Sequence, residues 1–559
     1  MHIGTTTRSR VWPLLACGVL VAAYGLLAPR AEIAAQQSTA VIRGTVRGAD
    51  STSLYGILVN AKGAGRNATT FVFTDDKGAY EFPPLALGAY QVSVGTAQSH
   101  TVQLTPSGVT EDFTGIELGP DLLDQATGPN WLKVIPGDEA QKTKIAQRCV
   151  ACHSTNYLIT RAPFSPDGWS RLVDRMINER LHTADWWPTA EESPVYTHYN
   201  EKYSAAEVQA IKDFLATNVT PETKAQYAAK ALWRPKGEAA RAVYTEWMLA
   251  GNRGGVRDAW TDPKGIIWYI QSNNLMGRLD PRTGEFQQWD YPAETMEGRF
   301  HDVWPDKEGN VFITAAGLNK ILKFDVKTYQ FTTFEIPESL GKYPHTGEFD
   351  SDGNYWVTLM EGEHSGVVKL DPRTGKLTKF DVPTKYCYCY GLTVDKQDNV
   401  WFTQHHANKI GKIAARTGKL TEYTIPTKVA LPRRIKADSK GRLWFTASGY
   451  PGQISMLDPA TGEFTEYPHE ITNGYPYIIN IDQHDKIWFN SVEGNMVGKF
   501  DPATKKYSFY LIPVPESYAR AGIIDTQTDP PGILLPMASR AGVFGRLYVR
   551  PVAQQVTAR

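Results

Sequence analysis

The sequence of 559 residues has few cysteines, no net charge and a single long uncharged apolar run, which lies near its start. Five cysteines are too few for a disulfide-stapled scaffold. Lysine plus arginine and aspartate plus glutamate each number 59. This balance excludes a generally basic nucleic-acid binder and an acidic disordered chain. The length exceeds that of one typical domain, so several domains are expected.

Glycine, proline and aromatic residues are plentiful by contrast. The chain has 47 Gly, 35 Pro, 15 Trp and 27 Tyr, and 42% of its residues are hydrophobic. Such a composition supports packed cores and favours short aromatic-rich strands joined by tight turns. We therefore predict a multidomain, mainly β protein.

The first 35 residues are typical of an export signal. Arg8 and Arg10 precede an uncharged run from Val11 to Ala28, and small residues follow before Gln36. The pattern predicts a signal peptide over residues 1–35 and a periplasmic or otherwise exported protein. The alternative is a retained membrane anchor, because the run is nearly long enough to span a bilayer.

Residues 40–120 alternate between apolar and polar side chains, as β-strands do, with glycine-bearing turns between them. The stretches Gly44–Val46, Asp75–Tyr80 and Leu87–Tyr90 resemble the carboxypeptidase regulatory-like module, which implies a transthyretin-like β-sandwich. The segment contains no catalytic constellation. We expect a spacer or contact module here.

Cys149, Cys152 and His153 form a C-x-x-C-H motif between stretches of helical periodicity. Two thiols at this spacing can bond to the vinyl groups of haem while the imidazole ligates the iron. No second C-x-x-C lies nearby to complete a zinc site, and no thioredoxin-like pattern surrounds the motif. It predicts one covalently attached haem c, and residues 136–220 resemble an all-α cytochrome c domain.

The sequence offers several candidates for the second axial ligand of that iron. Met176 is the only methionine between His153 and Met248, so a His/Met iron within this domain would use it. Met176 also falls on an apolar helix face, where a packing role is the alternative. His182 and His198 are the candidates for bis-His ligation, and an open site is a further alternative. Residues 221–240 are predicted to be a linker or a helix packed on a neighbour.

The last 320 residues repeat with a step of 43 to 45 residues. An aspartate marks each copy: Asp262, Asp306, Asp350, Asp395, Asp438, Asp482 and, in a degenerate seventh copy, Asp525. Four short strands per copy predict a seven-bladed β-propeller over residues 241–551, closed by the strand Val243–Met248. The repeats, such as that from Trp401 to Pro426, resemble the virginiamycin B (streptogramin) lyase family over about residues 245–550.

Five residues before each repeat aspartate stands a polar side chain. The seven are Arg257, His301, His345, Tyr390, Arg433, Tyr477 and Arg520. This position begins the innermost strand of a blade, so the seven are predicted to converge at one end of the channel, where propellers bind ligands. Their chemistry suits an anionic, phenolic or carboxylate-bearing ligand. The alternative is a structural ring bonded to water and to neighbouring blades.

The resemblance to streptogramin lyases implies metal-binding glutamates that work with a histidine of this ring. The corresponding positions here are Gln271, Ala315, Leu359, Gln404, Ala447 and Ser491. None of these residues is a glutamate, so a Mg²⁺ site of that kind lacks its hard oxygen ligands. Streptogramin lyase activity is therefore doubtful on sequence grounds.

A second constellation is predicted on the same face. Cys387 and Cys389 precede Tyr390, and His405 and His406 follow the second strand of the same blade. Thiolate and imidazole ligands together would suit copper or zinc. The alternatives are a strained disulfide or two buried thiols, with solvated histidines.

These features predict an exported c-type cytochrome with a ligand-binding propeller, which acts in electron transfer or in oxidation of a small substrate. The alternatives are a lyase or lactonase-type propeller with an accessory haem, and a non-catalytic electron carrier. Expected partners are a redox protein or a small molecule, such as an anion. No nucleic acid is expected, and a membrane only if the N-terminal segment is retained.

Overall fold

The computed structural model describes residues 38–149, 155–161, 165–176, 204–249, 254–292, 298–449, 452–469, 471, 475–514, 519–538 and 542–551. The described residues from Thr39 onward belong to one compact unit. None of the helices described in it is both long enough and apolar enough to cross a membrane. The signal peptide predicted over residues 1–35 lies outside the described residues.

The N-terminal part consists of short strands. They are β1 (Thr39–Ala40), β2 (Ile42–Gly48), β3 (Leu58–Gly63), β4 (Ala68–Phe73), β5 (Ala79–Glu81), β6 (Leu85–Ala86), β7 (Gly88–Val94), β8 (Gln98–Leu104), β9 (Val109–Thr110) and β10 (Phe113–Ile116). Strand β2 pairs with β10, β5 and β9, while β3, β4, β7 and β8 belong to a second sheet. Residues such as Ile42, Val46, Val59 and Val92 from both sheets share one core, as alternating strands require.

Six helices follow. They are α1 (Gly128–Val134), α2 (Glu139–Cys149), α3 (Thr155–Arg161), α4 (Pro166–Arg175), α5 (Ala205–Asn218) and α6 (Pro221–Ala231). Helix α5 begins with the capping box of Ser204 and Glu207 that its sequence predicts. Helix α4 packs on α5, and α1 packs on α3 and α6. Residues 221–231 are thus a helix packed on a neighbour rather than a free linker.

The propeller begins with β11 (Ala242–Met248) and continues with six sheets of four strands each. The first three are β12 (Val256–Thr261), β13 (Ile267–Gln271), β14 (Leu275–Leu279), β15 (Phe286–Asp290); β16 (Phe300–Pro305), β17 (Val311–Ala315), β18 (Lys320–Phe324), β19 (Phe331–Glu335); and β20 (Lys342–Phe349), β21 (Tyr355–Glu361), β22 (Gly366–Asp371), β23 (Lys376–Asp381). The next three are β24 (Cys389–Val394), β25 (Val400–Gln404), β26 (Lys409–Ile413), β27 (Leu420–Thr424); β28 (Pro432–Ala437), β29 (Leu443–Ala447), β30 (Gln453–Leu457), β31 (Phe464–Pro468); and β32 (Pro476–Ile481), β33 (Ile487–Ser491), β34 (Met496–Asp501), β35 (Lys506–Leu511).

The seventh blade closes the ring. It consists of β36 (Ile523–Asp525), β37 (Gly532–Pro536) and β38 (Val543–Val549), with β11 pairing along the whole of β38. The first strands of successive blades lie side by side, and β36 returns to contact β12. A strand from the start of the propeller therefore completes its last blade, as the sequence predicts.

The seventh blade does not end at β11, because the other edge of this strand pairs with β4 of the N-terminal part. One sheet of eight strands results, in the order β36-β37-β38-β11-β4-β3-β7-β8. The sequence predicted separate units on either side of the helices. The pairing instead covers a propeller edge that would otherwise expose a row of backbone donors and acceptors.

The repeat aspartates organise the turn between the first and second strands of a blade. Asp395 accepts hydrogen bonds from the backbone amides of Gln397 and Asn399, each at 2.9 Å, and from the indole of Trp401 at 2.8 Å. The same three-point arrangement fixes Asp438 with Trp444 and Asp482 with Trp488. One carboxylate thus satisfies the turn and the buried indole, which explains its recurrence.

Candidate functional site

The seven predicted ring residues lie where the innermost strands begin. These strands run in the same direction around the ring, so their first residues meet at one end of the channel, which we call the mouth. Direct contacts join most of them: His301 to His345, His345 to Tyr390, and Arg433 to both Tyr390 and Tyr477. The structure therefore brings together the residues that the repeat register predicted.

A β-bulge holds the ring residue in each of the first six blades. Pairing with the second strand shifts register between Val256 and Asp258 in the first blade and between Pro432 and Ile435 in the fifth. A bulge re-aims side chains and interrupts strict two-residue alternation. Arg433 and Arg434 consequently both take part in contacts within the channel.

Threonines of the second strands fix the backbone at the bulges. Thr403 accepts a hydrogen bond from the Gly391 amide at 2.8 Å and donates one to the Arg433 carbonyl of the next blade at 2.6 Å. Thr358 makes the equivalent bond to the Tyr390 carbonyl at 2.9 Å. One hydroxyl thus ties two blades together at the ring position.

The second to fourth blades present aromatic side chains at the mouth. The ring centroids of His301 and His345 are 3.7 Å apart, and those of His345 and Tyr390 are 4.0 Å apart. Burial lowers the pKa of His301 and of His345 well below the usual value, and the nearby Arg257 and Arg434 lower both further. Both imidazoles are therefore neutral at pH 7.

The fifth, sixth, seventh and first blades contribute Arg433, Tyr477, Arg520 and Arg257. The Arg433 guanidinium lies 4.7 Å from the ring centroid of Tyr477 and donates to the Tyr390 hydroxyl at 3.1 Å. Burial alone would raise the pKa of Tyr477, but Arg520, Arg433 and Arg257 together lower it to about 8. Burial and Arg520 lower the pKa of Arg257 to about 10. This side of the mouth is strongly positive.

A second layer of polar side chains lies one residue further along the strands. Arg434 donates to Asp302 at 2.9 Å and to Thr346 at 3.0 Å, which links the fifth blade to the second and third. Burial and the Asp302 carboxyl, to which Asp258 is hydrogen-bonded, raise the pKa of Asp258 well above its ordinary value, so Asp258 holds a proton. Sequence reasoning missed this layer, and the position after each ring residue was the signal available.

The positions that the lyase resemblance assigns to metal-binding glutamates are buried, and all of them end the second strands except Leu359, which lies two residues before the end of β21. They are Gln271, Ala315, Leu359, Gln404, Ala447 and Ser491. Within the described part of the chain, no group of three or more His, Cys, Asp or Glu side chains could hold a metal ion.

The two cysteines that the sequence offered as metal ligands instead form the disulfide that was given as the alternative. Cys387 and Cys389 are joined by a disulfide bond. A disulfide sulfur is not a thiolate, so the two cysteines do not supply the predicted copper or zinc ligands. His406 stacks on Tyr388 at 3.9 Å between centroids, and His405 bonds the Pro432 carbonyl at 3.1 Å. These histidines are buried rather than solvated.

The C-x-x-C-H motif lies between two described helices. Helix α2 ends at Cys149 and α3 begins at Thr155. Cys152 and His153 lie outside the described residues, as do His182 and His198. Met176 directly follows α4 in helical conformation and is partly buried.

One buried carboxylate connects this helical region to the propeller. Glu493 follows β33, in the loop that leads to β34 on the mouth side of the sixth blade. Its Oε2 accepts a hydrogen bond from the backbone amide of Thr155 at 2.8 Å. A side chain at Gly128 would lie 2.3 Å from Glu493 Oε1, so α1 also begins against this group. Burial raises the pKa of Glu493 to about 8.

Two open grooves lie away from the ring. One of about 440 Å³ is lined by residues 233–239 together with Ser508 and Phe509. The other, of about 270 Å³, includes Asp482 and His484 at the opposite end of the sixth blade. Neither contains a ring residue. We place the candidate site at the mouth because converging charged and aromatic side chains are found there.

Comparisons with known proteins agree with the propeller geometry. The model of the virginiamycin B lyase family matches residues 243–529, just over half of the chain. The structure of a streptogramin B lyase is similar with a TM-score of 0.51 and 23% identity, covering 56% of this chain and all of that one.

Two structures of virginiamycin B lyase from Staphylococcus aureus give TM-scores of 0.50, and each covers 55% of this chain and all of its own. One is selenomethionine-substituted, at 22% identity, and the other is a catalytically inactive form with quinupristin, at 21%. No curated protein sequence matches the chain. At these identities the likeness shows the fold, and the match to the family model shows that the chain belongs to the virginiamycin B lyase family.

Proposed function

We propose that the protein is an exported c-type cytochrome whose propeller mouth binds a small anionic molecule and exchanges single electrons with that molecule or with a redox partner. The main support for this proposal is the hydrogen bond that the Thr155 amide donates to the Glu493 side chain. Thr155 stands two residues after the C-x-x-C-H motif, and Glu493 lies in a loop on the mouth side of the propeller. The contact supports a short distance between the haem motif and the mouth.

The donor set of the motif suits haem c. Cys149 and Cys152 would attach the porphyrin, His153 would ligate the iron, and Met176 is our candidate for the second axial ligand. Helix α2 ends at Cys149 and α3 begins at Thr155, so the three candidate side chains lie within five residues of the sequence, as the C-x-x-C-H spacing for one bound group requires. When bound, the haem supplies a one-electron couple whose potential depends on the axial ligands.

The chain's own residues would bind and orient the ligand. Arg433, Arg520 and Arg257 attract an anion into the mouth, where low dielectric strengthens the attraction. Because the pKa of Tyr477 is lowered to about 8, its hydroxyl can exchange a proton with a bound molecule close to neutral pH. His301 and His345 stay neutral and accept or donate single hydrogen bonds.

Haem attachment is tested on the exported full-length protein. We expect one haem per chain that resists extraction by acid-acetone, because thioether bonds are covalent. A Cys149→Ala/Cys152→Ala variant should lose the haem. A wild-type protein that releases its haem, or contains none, would contradict the proposal. Met176→Ala should lower the haem potential and remove the sulfur-to-iron charge-transfer band, and an unchanged spectrum would assign Met176 to packing.

A lyase-type reaction is the second candidate, and family membership favours it. His345 packs on Tyr390, and Tyr390 contacts Tyr477, whose pKa is lowered to about 8. The neutral imidazoles and this tyrosine are groups that can move protons during an elimination. The glutamates of a streptogramin-type metal site are replaced here, so we propose no Mg²⁺ dependence. The haem-free Cys149→Ala/Cys152→Ala variant separates the two candidates, because a lyase reaction should survive in it while substrate oxidation should not.

A further inference from the structure

The smaller of the two grooves lies at the end of the propeller opposite the mouth, where the ring of blades closes. It has a volume of about 270 Å³ and is lined by the segment before β11 and by side chains of the sixth and seventh blades. Pockets for small molecules begin at about 300 Å³, so the groove is close to the lower end of that range. Arg241 and Arg550 in its wall are partly exposed, and His484 and Pro530 are exposed. A ligand can therefore reach these side chains.

Arg241 and Arg550 are neighbours at the end of the strand pair β11–β38. The Arg550 amide donates to the Arg241 carbonyl at 3.1 Å, and Nε of Arg241 donates to the Arg550 carbonyl at 3.0 Å. Both side chains line the groove. Like charges at adjacent positions of neighbouring strands repel each other and lower stability.

These two guanidinium groups have no counterion in the part of the chain that the structure describes. Arg241 uses Nε for the Arg550 carbonyl, and Arg550 uses Nη1 for the Glu81 carbonyl at 2.6 Å. No carboxylate there forms an ion pair with either group. Burial lowers the pKa of Arg550, and the charge of Arg241 acts in the same direction.

The other charged side chains of the groove already have partners. Lys499 is bonded to Glu238 at 2.5 Å, and Lys486 to Asp501 at 2.8 Å. The carboxylate of Asp482 accepts hydrogen bonds from two amides of its own turn and from an indole of the same blade. The charge available for a ligand is therefore that of the two arginines.

We propose that this groove is a second anion site, in which Arg241 and Arg550 bind the phosphate group of a small phosphate ester. A phosphate dianion has three terminal oxygens, so it can accept hydrogen bonds from two guanidinium groups at once and remove their repulsion. A monovalent carboxylate would leave one positive charge unmatched. A water molecule takes about 30 Å³ of liquid, so the groove has room for more than a bare phosphate ion. The site is separate from the mouth and does not depend on the function proposed for it.

The test is calorimetric titration of the full-length protein at about pH 8, where a phosphate ester is a dianion because its second pKa is about 6. The probes, at equal ionic strength, are glycerol 3-phosphate, inorganic phosphate and acetate. We expect glycerol 3-phosphate to bind at least as tightly as inorganic phosphate, because its organic part also contacts the groove. Acetate should bind at least about tenfold more weakly, because it cannot bond both guanidinium groups fully.

The most informative variant is Arg241→Gln. The amide nitrogen of glutamine stands at the same position along the side chain as Nε of arginine, so it can keep the hydrogen bond to the Arg550 carbonyl while the charge is removed. Without ligand, this variant should unfold at the temperature of the wild type or higher, because the repulsion is relieved. Its affinity for glycerol 3-phosphate should fall about tenfold or more.

A second variant keeps the test decisive if Arg241→Gln does not fold. Arg550→Lys retains a positive charge but replaces the planar fork of donors by a single ammonium group, so it should also weaken glycerol 3-phosphate. The matched control is Arg282→Gln, which changes an exposed arginine paired with Asp280 and should leave the affinity unchanged.

The mouth variant Arg520→Gln separates the two anion sites, and it should leave the binding of glycerol 3-phosphate in the groove unchanged. Binding that is lost in Arg520→Gln but retained in Arg241→Gln would place the phosphate at the mouth, which would overturn the groove site and leave the proposed function in place. Absence of glycerol 3-phosphate binding up to about 10 mM would overturn the proposal. Equal affinity for acetate would overturn the assignment to a dianion, and binding of inorganic phosphate alone would overturn the assignment to an ester.

Discussion

The cross-channel ion pair of Arg434 and Asp302 gives a quantitative test of how the propeller is held together. The two side chains are only 12% and 5% exposed, and their Nη1 and Oδ1 atoms are 2.9 Å apart. They belong to the fifth and second blades, on opposite sides of the channel. Arg434→Met leaves the Asp302 carboxylate buried without its cation. Breaking a buried pair in this way should lower the free energy of unfolding by about 3 to 5 kcal/mol.

A second substitution checks the cause of that loss. In the double variant Arg434→Met with Asp302→Asn no charge is left unpaired, and the amide oxygen can still accept the Gly347 amide hydrogen bond of 3.0 Å. Most of the stability should therefore return, because apolar or neutral replacements for a buried pair are close to neutral in free energy. The free energy of unfolding is obtained from urea denaturation, with tryptophan fluorescence as the probe.

An exposed ion pair provides the control. Lys342 and Glu338 are 2.9 Å apart, but their side chains are 52% and 76% exposed. Lys342→Gln should cost no more than about 1 kcal/mol. If Arg434→Met cost no more than this control, or if the double variant were no more stable than Arg434→Met alone, the ion pair would not be what joins these blades.

Three further outcomes are expected. Thr403→Val should lower the free energy of unfolding, measured by urea denaturation, by about 1 to 3 kcal/mol, because the two hydrogen bonds of this hydroxyl are lost. Thr421→Val, on an exposed face, should leave the free energy of unfolding unchanged. Burial lowers the pKa of His469 to about 4, so between about pH 6.5 and pH 4 the imidazole is protonated in the unfolded state but not in the folded one. The free energy of unfolding should therefore fall over this range, by up to about 3 kcal/mol. His469→Gln should make that stretch of the pH profile shallower by the contribution of one proton, while other buried histidines such as His301 and His345 keep the remaining slope. An unchanged profile would contradict this assignment. Glu493→Ala should speed hydrogen exchange at the Thr155 amide, and unchanged exchange would mean that the contact is not what protects it.

The propeller could be predicted from sequence because its signals are local. Four repeat aspartates accept hydrogen bonds from the amides two and four residues later and from an indole six residues later: Asp262, Asp395, Asp438 and Asp482. Such turn chemistry recurs at a fixed period and sets the strand register. The positions of the ring residues followed directly from that register.

The second channel layer could not be predicted by the same reasoning. Strict alternation would turn Arg434 away from the channel once Arg433 faces it. The bulge at this position breaks the alternation and brings Asp302 within reach of Arg434. The sequence places Arg434 and Asp302 directly after ring residues, but a bulge leaves no composition signal in one sequence, so only coordinates reveal that these two side chains pair.

The pairing of β4 with β11 was also missed, for a different reason. The two strands are about 170 residues apart in the chain, and pairing at that separation has no periodic signature. A partial signal existed, because Phe71, Val72 and Phe73 are consecutive apolar residues, and a strand covered on both faces reads as such a run. Alternation elsewhere in the segment favoured a free-standing sandwich instead.

This pairing affects how the helices on either side of the C-x-x-C-H motif are held. The chain leaves the N-terminal strands at β10, forms the helices and returns at β11, which is hydrogen-bonded to β4. The two ends of the helical region therefore meet two sheets that share one hydrophobic core, to which Phe113 of β10 and Val243 of β11 both belong. Buried Gln125 adds to this link, since it accepts from the Leu58 amide at 2.8 Å and donates to the Trp233 carbonyl at 3.1 Å. With the Glu493 contact as a further attachment, the described helices cannot turn away from the mouth without breaking buried hydrogen bonds.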